Sequence, residues 1–284
     1  MSEGKKENRG KGELKGWLVA IGIVACVVGL PFLSLYIYSG IWPPMMVVSS
    51  GSMTHEDGPF GHIGSIETGD IVIPRKIGFD EIVTWEVGNK TGYKTYGDFG
   101  DVIIYYKRGD KNQSPVIHRA ITRVDGDKSV NMTNARGYTA LIEIKERIPS
   151  MSYNVWITVW EPSGELKVEK IKIEDSVDRN TLITWGDNNK APDQVSNKLS
   201  PPISDPIKPD WFVGVSRGEF PWIGLLSLGI RSIFFDSSDI RLEQAPWDCW
   251  FMFGLVIACI LVAVVLIEIL LPYLEKRKEK RKIE

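Results

Sequence analysis

Two uncharged apolar runs, one near each end of the chain, constrain this sequence more than any other feature. Trp17 to Tyr38 contains no charged residue and is rich in Val, Ile, Leu and Gly. Cys249 to Ile267 is equally free of charge, and at about 1.5 Å per residue it extends roughly 29 Å, the thickness of a hydrocarbon core. Both read as transmembrane helices, the first 17–38 and the second 249–271. Pro31 lies inside the first run, where it would bend a helix in a way that membranes tolerate. A cleaved signal peptide is the competing reading of the first run, but the run exceeds a typical apolar core and no small-residue cleavage site follows it. Glu268 lies at the far end of the second run, within reach of the interface.

The flanks orient the spans. Residues 1–16 carry Lys5, Lys6, Arg9, Lys11 and Lys15, and 272–284 carry Lys276, Arg277, Lys278, Lys280, Arg281 and Lys282. Basic flanks stay on the cytoplasmic side, and equally suit anionic headgroups. Both termini are therefore expected in the cytoplasm, with 40–246 as one domain on the outer face of a cell or endoplasmic-reticulum membrane. The three cysteines, Cys26, Cys249 and Cys259, all fall in or beside the apolar ends. A disulfide framework is excluded for the central domain. The formal net charge of −2 gives no footing for nucleic acid.

The central domain reads as mostly β. Short β-branched or alternating runs recur between turn signals: Asp70 to Pro74, Asp101 to Tyr106, Val116 to Ile121, Tyr153 to Trp160, Leu166 to Ile173, Thr181 to Trp185 and Trp211 to Ser216. Gly69-Asp70 and Gly100-Asp101 each lead into three β-branched residues, and both read as scaffold turns entering buried strands. No long amphipathic helix stands out. Phe220 to Ile230 is apolar but broken by Gly and Pro, and reads either as core or as a surface dipped into the headgroup region. Three sequons, at Asn89, Asn112 and Asn131, are expected to be accessible.

The chemistry gathers around Val47-Val-Ser-Ser-Gly-Ser52-Met53, just outside the first span. A short strand ending in Ser-Gly-Ser can present a hydroxyl at a sharp turn beside free backbone N–H groups. Taken alone it is equally a polar turn. Only three histidines occur, His55, His62 and His118. His118 sits in a strand-like run, where a half-buried structural role competes with that of a base. His55 and His62 with Glu56 or Asp57 fit no zinc spacing, so no metal and no cofactor is expected. Gly186-Asp187-Asn-Asn, with Asp193 beyond it, is a turn whose carboxylates cap N–H groups or orient a histidine. A serine, a strand histidine and an aspartate far apart in sequence are the parts of a nucleophile, base and orienter.

In this order, Ser50-Gly-Ser52-Met53, Gly69-Asp70-Ile-Val-Ile, Gly100-Asp101-Val-Ile-Ile, Val116-Ile-His118-Arg119 and Gly186-Asp187-Asn-Asn with Asp193 resemble the boxes of type I signal peptidases, in the archaeal and endoplasmic-reticulum branch. The bacterial branch has a lysine where this chain has His118. The resemblance implies a membrane-anchored β-sheet or barrel-like catalytic domain that removes signal peptides from exported preproteins. It implies Ser52 as nucleophile, His118 as general base, Asp193 as its orienting acid, and Asp187 as a second acid or a turn residue. It implies the Ser52 N–H and the Ser50 hydroxyl as oxyanion donors, and small substrate residues in shallow pockets, for which Met53 and Ile73 are candidates. Its implied partners are preproteins and the bilayer, with accessory membrane subunits left open. Two departures stand out. Thr54 to Glu67 replaces a short acidic-Pro continuation, and 126–180 is an expected inserted β subdomain. The competing class is a tethered module that binds or assembles partners and keeps the boxes as scaffold. A Ser–Lys peptidase, with Lys107 as base, is a third.

Overall fold

The computed structural model describes residues 3–55, 63–148, 152–174, 176–196, 201–234 and 240–283. Along the chain the helices are α1 (Glu3–Ser39), α2 (Trp85–Thr91), α3 (Gly224–Phe234) and α4 (Trp247–Ile283). The strands are β1 (Met46–Val47), β2 (Ile71–Arg75), β3 (Lys94–Thr95), β4 (Asp98–Phe99), β5 (Val102–Tyr105), β6 (Val116–Val124), β7 (Lys128–Thr133), β8 (Thr139–Arg147), β9 (Ser152–Trp160), β10 (Leu166–Lys172), β11 (Val177–Asp178), β12 (Thr181–Trp185) and β13 (Phe212–Phe220).

The fold is mostly β, and its central sheet curls into a half-barrel. Six antiparallel strands run in the order β1-β2-β13-β5-β6-β12. Every residue of β5 is buried, because both of its faces are covered. Ile103 and Tyr105 join a core with Ala120, Leu182 and Val215. Val102 and Ile104 turn the other way, to Val48, Met53, Ile66 and Val72. That is the period of two imposed by the pleat, here filled with apolar side chains on both sides. Each fully buried side chain of this size contributes about 1.5–3 kcal/mol.

Residues 128–178 form a second antiparallel sheet, β10-β9-β8-β7, with β11 against β9. Its inner face carries Val130, Met132, Ile142, Ile144, Val155, Ile157 and Val159. These pack onto Ile121, Val124, Ile183 and Trp185 of the central sheet. The two sheets thus share one core, with β6 and β12 as the common wall.

Ile21–Ser39 and Trp247–Leu270 are apolar and long enough to cross a membrane. Pro31 lies within the continuous α1. The Lys76 N–H donates to the Ser39 carbonyl at 2.8 Å, tying the end of α1 to the segment after β2. The stretch read as either core or membrane-dipping surface is in fact split. Gly224, Leu225 and Leu228 of α3 are buried, and Leu225 packs with Trp222 and Cys249. Ile223, Leu226, Ile230, Ile233 and Phe234 are exposed. The helix escaped the sequence reading because Pro221, Gly224 and Gly229 break its apparent regularity, whereas Pro221 precedes the helix and Gly224 begins it.

The two Gly-Asp turns enter strands as expected. Gly69 has φ +100, and a Cβ there would meet Leu225 at 2.3 Å, so only glycine fits. Buried Asp70 accepts from the N–H groups of Glu67 and Trp222. Asp101 accepts from the Val83 N–H, the Tyr93 hydroxyl and Arg217. Asn89, Asn112 and Asn131 are exposed.

Candidate active site

The hydroxyl of Ser52 lies 2.9 Å from His118 Nε2, and His118 Nδ1 lies 2.7 Å from Asp193 Oδ2. Three residues separated by 66 and 75 positions are therefore in one hydrogen-bonded line. Each is held by a different kind of element. His118 belongs to an inner strand, β6, paired through Ile103 on one side. It is 3% exposed. Asp193 returns beside β12, its N–H donating to the Thr184 carbonyl at 2.9 Å.

Ser52 stands on a turn built from the outside. The Gly51 N–H donates to Gln244 Oε1 at 2.9 Å. Asn188 donates its side chain to the Gly51 carbonyl at 2.7 Å and its N–H to the Ser52 carbonyl at 2.9 Å. This close approach needs Gly186, where a Cβ would meet the Ser52 carbonyl at 2.7 Å. Met53 points inward, 2% exposed, with its sulfur accepting from the Asp187 N–H at 3.5 Å. The residue after the serine thus anchors the turn, leaving Ser52 at the surface of a cleft of about 790 Å³. Neither the Ser50 hydroxyl nor the Ser52 N–H has a partner among the described residues, and both residues line the cleft.

Asp193 is wholly buried, and its Oδ2 also accepts from the Tyr105 hydroxyl at 2.8 Å and from Thr184 Oγ1 at 2.6 Å. Its Oδ1 has no partner among the described residues. Burial pushes this carboxyl's pKa up, but His118 and the two hydroxyls outweigh it and hold it below the usual value. Burial next to this charge pushes the Tyr105 phenol well above its ordinary value. An ionised Asp193 can only accept, so His118 Nδ1 carries the proton between them. Nε2 then faces the Ser52 hydroxyl, the geometry a general base would need.

Asp187 is elsewhere. It receives Arg119 Nε at 2.8 Å and Arg119 Nη2 at 2.5 Å, a bidentate pair. It also bonds His55 Nε2 at 2.8 Å. Arg119 is fully buried and donates as well to carbonyls of Thr95, Tyr96, Asp98, Phe99 and Gly100. Burial opposes the charge on Asp187, but Arg119 and His55 prevail and its pKa is lowered. For His55, burial favours the neutral ring, but Asp187 overrides it and the pKa rises. No hydrogen bond joins Asp187 to His118 or Ser52, and it holds the Arg119 side of the site together.

Of the two pocket candidates, Met53 lines the cleft, though its side chain is turned into the core. Ile73 is not on the cleft wall. It packs beside Gly218, where a Cβ would meet its Cδ1 at 3.4 Å. The cleft is lined instead by Met45 to Val48 and by Gln113 to Ile117. Lys107 lines the cleft, but Ser52 bonds His118. His62, Glu56 and Asp57 lie outside the described residues. Tyr105, Thr184, Asn188 and Gln244 were not singled out from sequence. Only Asn188 carried a signal, as part of the Asp-Asn-Asn turn.

No protein-family model matches this chain, and no curated protein and no solved structure matches it significantly.

Proposed function

We propose that the protein is a membrane-anchored serine endopeptidase that removes signal peptides from exported preproteins, in the manner of the type I signal peptidases its boxes resemble. The observation that carries the reading is the hydrogen-bonded line from Ser52 through His118 to Asp193 at an open cleft. A tethered binding module has no need of a carboxylate-held histidine aligned on a serine hydroxyl at a cleft.

In this mechanism His118 Nε2 takes the Ser52 proton as Oγ attacks the carbonyl carbon of the scissile bond. The negative charge formed on the carbonyl oxygen is met by the Ser52 N–H and the Ser50 hydroxyl. One such donor typically lowers the barrier by about 2.7–4 kcal/mol. The imidazolium, stabilised by Asp193, protonates the departing amine. An ester to Ser52 remains. His118 then activates water to hydrolyse it, and the proton returns to Oγ.

The anchors suit the substrate. With α1 and α4 crossing the bilayer and both basic ends in the cytoplasm, the domain stands on the outer face. A preprotein held by its own signal segment meets it there at high effective concentration.

The deciding experiment is preprotein cleavage in membranes by wild type and Ser52→Ala, with insertion of each checked. The expected result is signal-peptide removal by wild type and a loss on the order of 10⁶-fold, to background, in the variant. Equal cleavage by both would make Ser52 a turn residue.

A further inference from the structure

Among the described residues, the wall of the cleft carries four cationic side chains, Lys107, Arg136, Arg231 and Arg241, and no Asp or Glu. The chain as a whole has a formal charge of −2, so this is a local concentration against the overall balance. None of the four has an acidic partner among the described residues, whereas neighbouring Arg108 is paired with Asp205. They come from four parts of the fold: Lys107 follows β5, Arg136 lies in the turn between β7 and β8, Arg231 is on α3 and Arg241 precedes α4.

Two of these residues are anchored near the nucleophile turn, Arg241 by its backbone and Arg136 by its side chain. The Arg241 N–H donates to the Ser49 carbonyl at 3.0 Å. On the other flank, Asn134 donates its side-chain amide to the Asn189 carbonyl at 2.7 Å, and Arg136 Nη1 reaches the Asn188 carbonyl at 3.4 Å. Asn188 itself holds the Gly51 and Ser52 carbonyls. The β7–β8 turn of the second sheet is thus docked on the Asn188–Asn189 loop that holds the nucleophile turn, with Arg136 exposed at the cleft.

We propose that this cationic wall is a specificity surface, selecting preproteins with acidic side chains in the first residues after the scissile bond, and that the second sheet supplies part of it through Arg136. It rests on the peptidase reading above and names its substrate class. The acid belongs on that side because the preceding segment lies in or near the bilayer, where a charge is expensive. Several like charges around a concave site focus the field and raise the local concentration of an oppositely charged chain. The effect appears in encounter and KM rather than in the chemical step.

The test uses the full chain in phosphatidylcholine vesicles and two preproteins with one signal segment. One carries Glu and the other Gln in the first three positions after the bond. Cleavage of the Gln preprotein reports the active fraction of each variant, so the Glu-to-Gln ratio of kcat/KM is independent of folding yield. The expected ratio is about tenfold at low salt, falling toward one near 1 M salt, where the screening length is about 3 Å. In Arg136→Gln/Arg241→Gln it falls several-fold, through KM. In Arg136→Glu it falls further, and a third preprotein with Lys in these positions gains. Equal cleavage of the Glu and Gln preproteins by wild type overturns the proposal, while Ser52-dependent cleavage of both leaves the peptidase reading standing. If phosphatidylglycerol accelerates both equally and no ratio appears, the cations serve lipid and the proposal fails. No cleavage of any preprotein overturns the proposal and the peptidase reading together.

Discussion

Asp193 and Asp187 leave the same strand, β12, in one short loop, and each is buried against a histidine, yet they serve different places. Their partners on β6 are adjacent residues. Arg119 binds Asp187 and His118 binds Asp193. Consecutive side chains of a strand point to opposite faces. One face of β6 therefore looks into the cleft and the other into the β3–β4 region that Arg119 stitches with its carbonyl contacts. Asp187 is tied to a guanidinium, and Asp193 to an imidazole whose other nitrogen faces Ser52. The first pair is architecture, and the second can take part in a reaction.

The strongest test of this division is at Asp193. Asp193→Asn is expected to keep the fold and to lower kcat on the order of 10⁴-fold with little change in KM, since an amide no longer selects the His118 tautomer that leaves Nε2 free. Full activity in that variant would dissolve the distinction. Asp187→Asn acts instead on stability. It strands the Arg119 guanidinium among carbonyls, and breaking a buried pair costs about 3–5 kcal/mol. Denaturant unfolding reads that loss, and the variant that remains folded should lose far less than Asp193→Asn in kcat.

His55 sharpens the comparison through pH. Its folded-state pKa is raised, so its stabilising contribution is fully present below its ordinary value near 6.5 and fades as pH rises through the raised one. His55→Ala should therefore cost more stability at pH 5.5 than at pH 9, measured by denaturant midpoint at each pH. Equal loss at both would mean that Asp187 does not depend on the charge of His55.

Glu219 gives the smallest effect and shows what happens to an acid without a cation. Burial, with the charges of Asp70 and Glu67, raises its pKa to about 7 despite the N–H of Gly64. The folded protein then holds a proton that the unfolded chain has released between about pH 4.5 and 7. Stability falls as pH rises through that window. Glu219→Gln should flatten this part of the stability profile, and an unchanged slope would contradict the assignment.

Much of the scaffold was legible in the sequence. β2, β5, β6, β9, β10, β12 and β13 fall where β-branched runs stand between turn residues, because a strand with one or two covered faces must repeat apolar residues locally. The Ser-Gly-Ser turn and the histidine in β6 were legible for the same reason. α3 was not, since its glycines break the pattern while its burial depends on Trp222 and Cys249. Ile73 also eluded the reading. Its place in a strand was clear, but the packing of Gly218 decides what it touches.

By itself, the sequence determined most of the central strands and the broad layout: two apolar helices at the ends, a cysteine-free β domain between them, and the few side chains able to do acid–base chemistry. Those properties are local, set by period, charge and turn residues within a few positions. Only the tertiary structure decided that Asp193 reaches His118 while Asp187 reaches Arg119, that Tyr105 and Thr184 support the first carboxylate, and that Arg136 reaches the Asn188 that holds the Ser52 carbonyl. A hydrogen bond needs about 3 Å, and which distant groups come that close depends on strand order, register and the fold of a single loop.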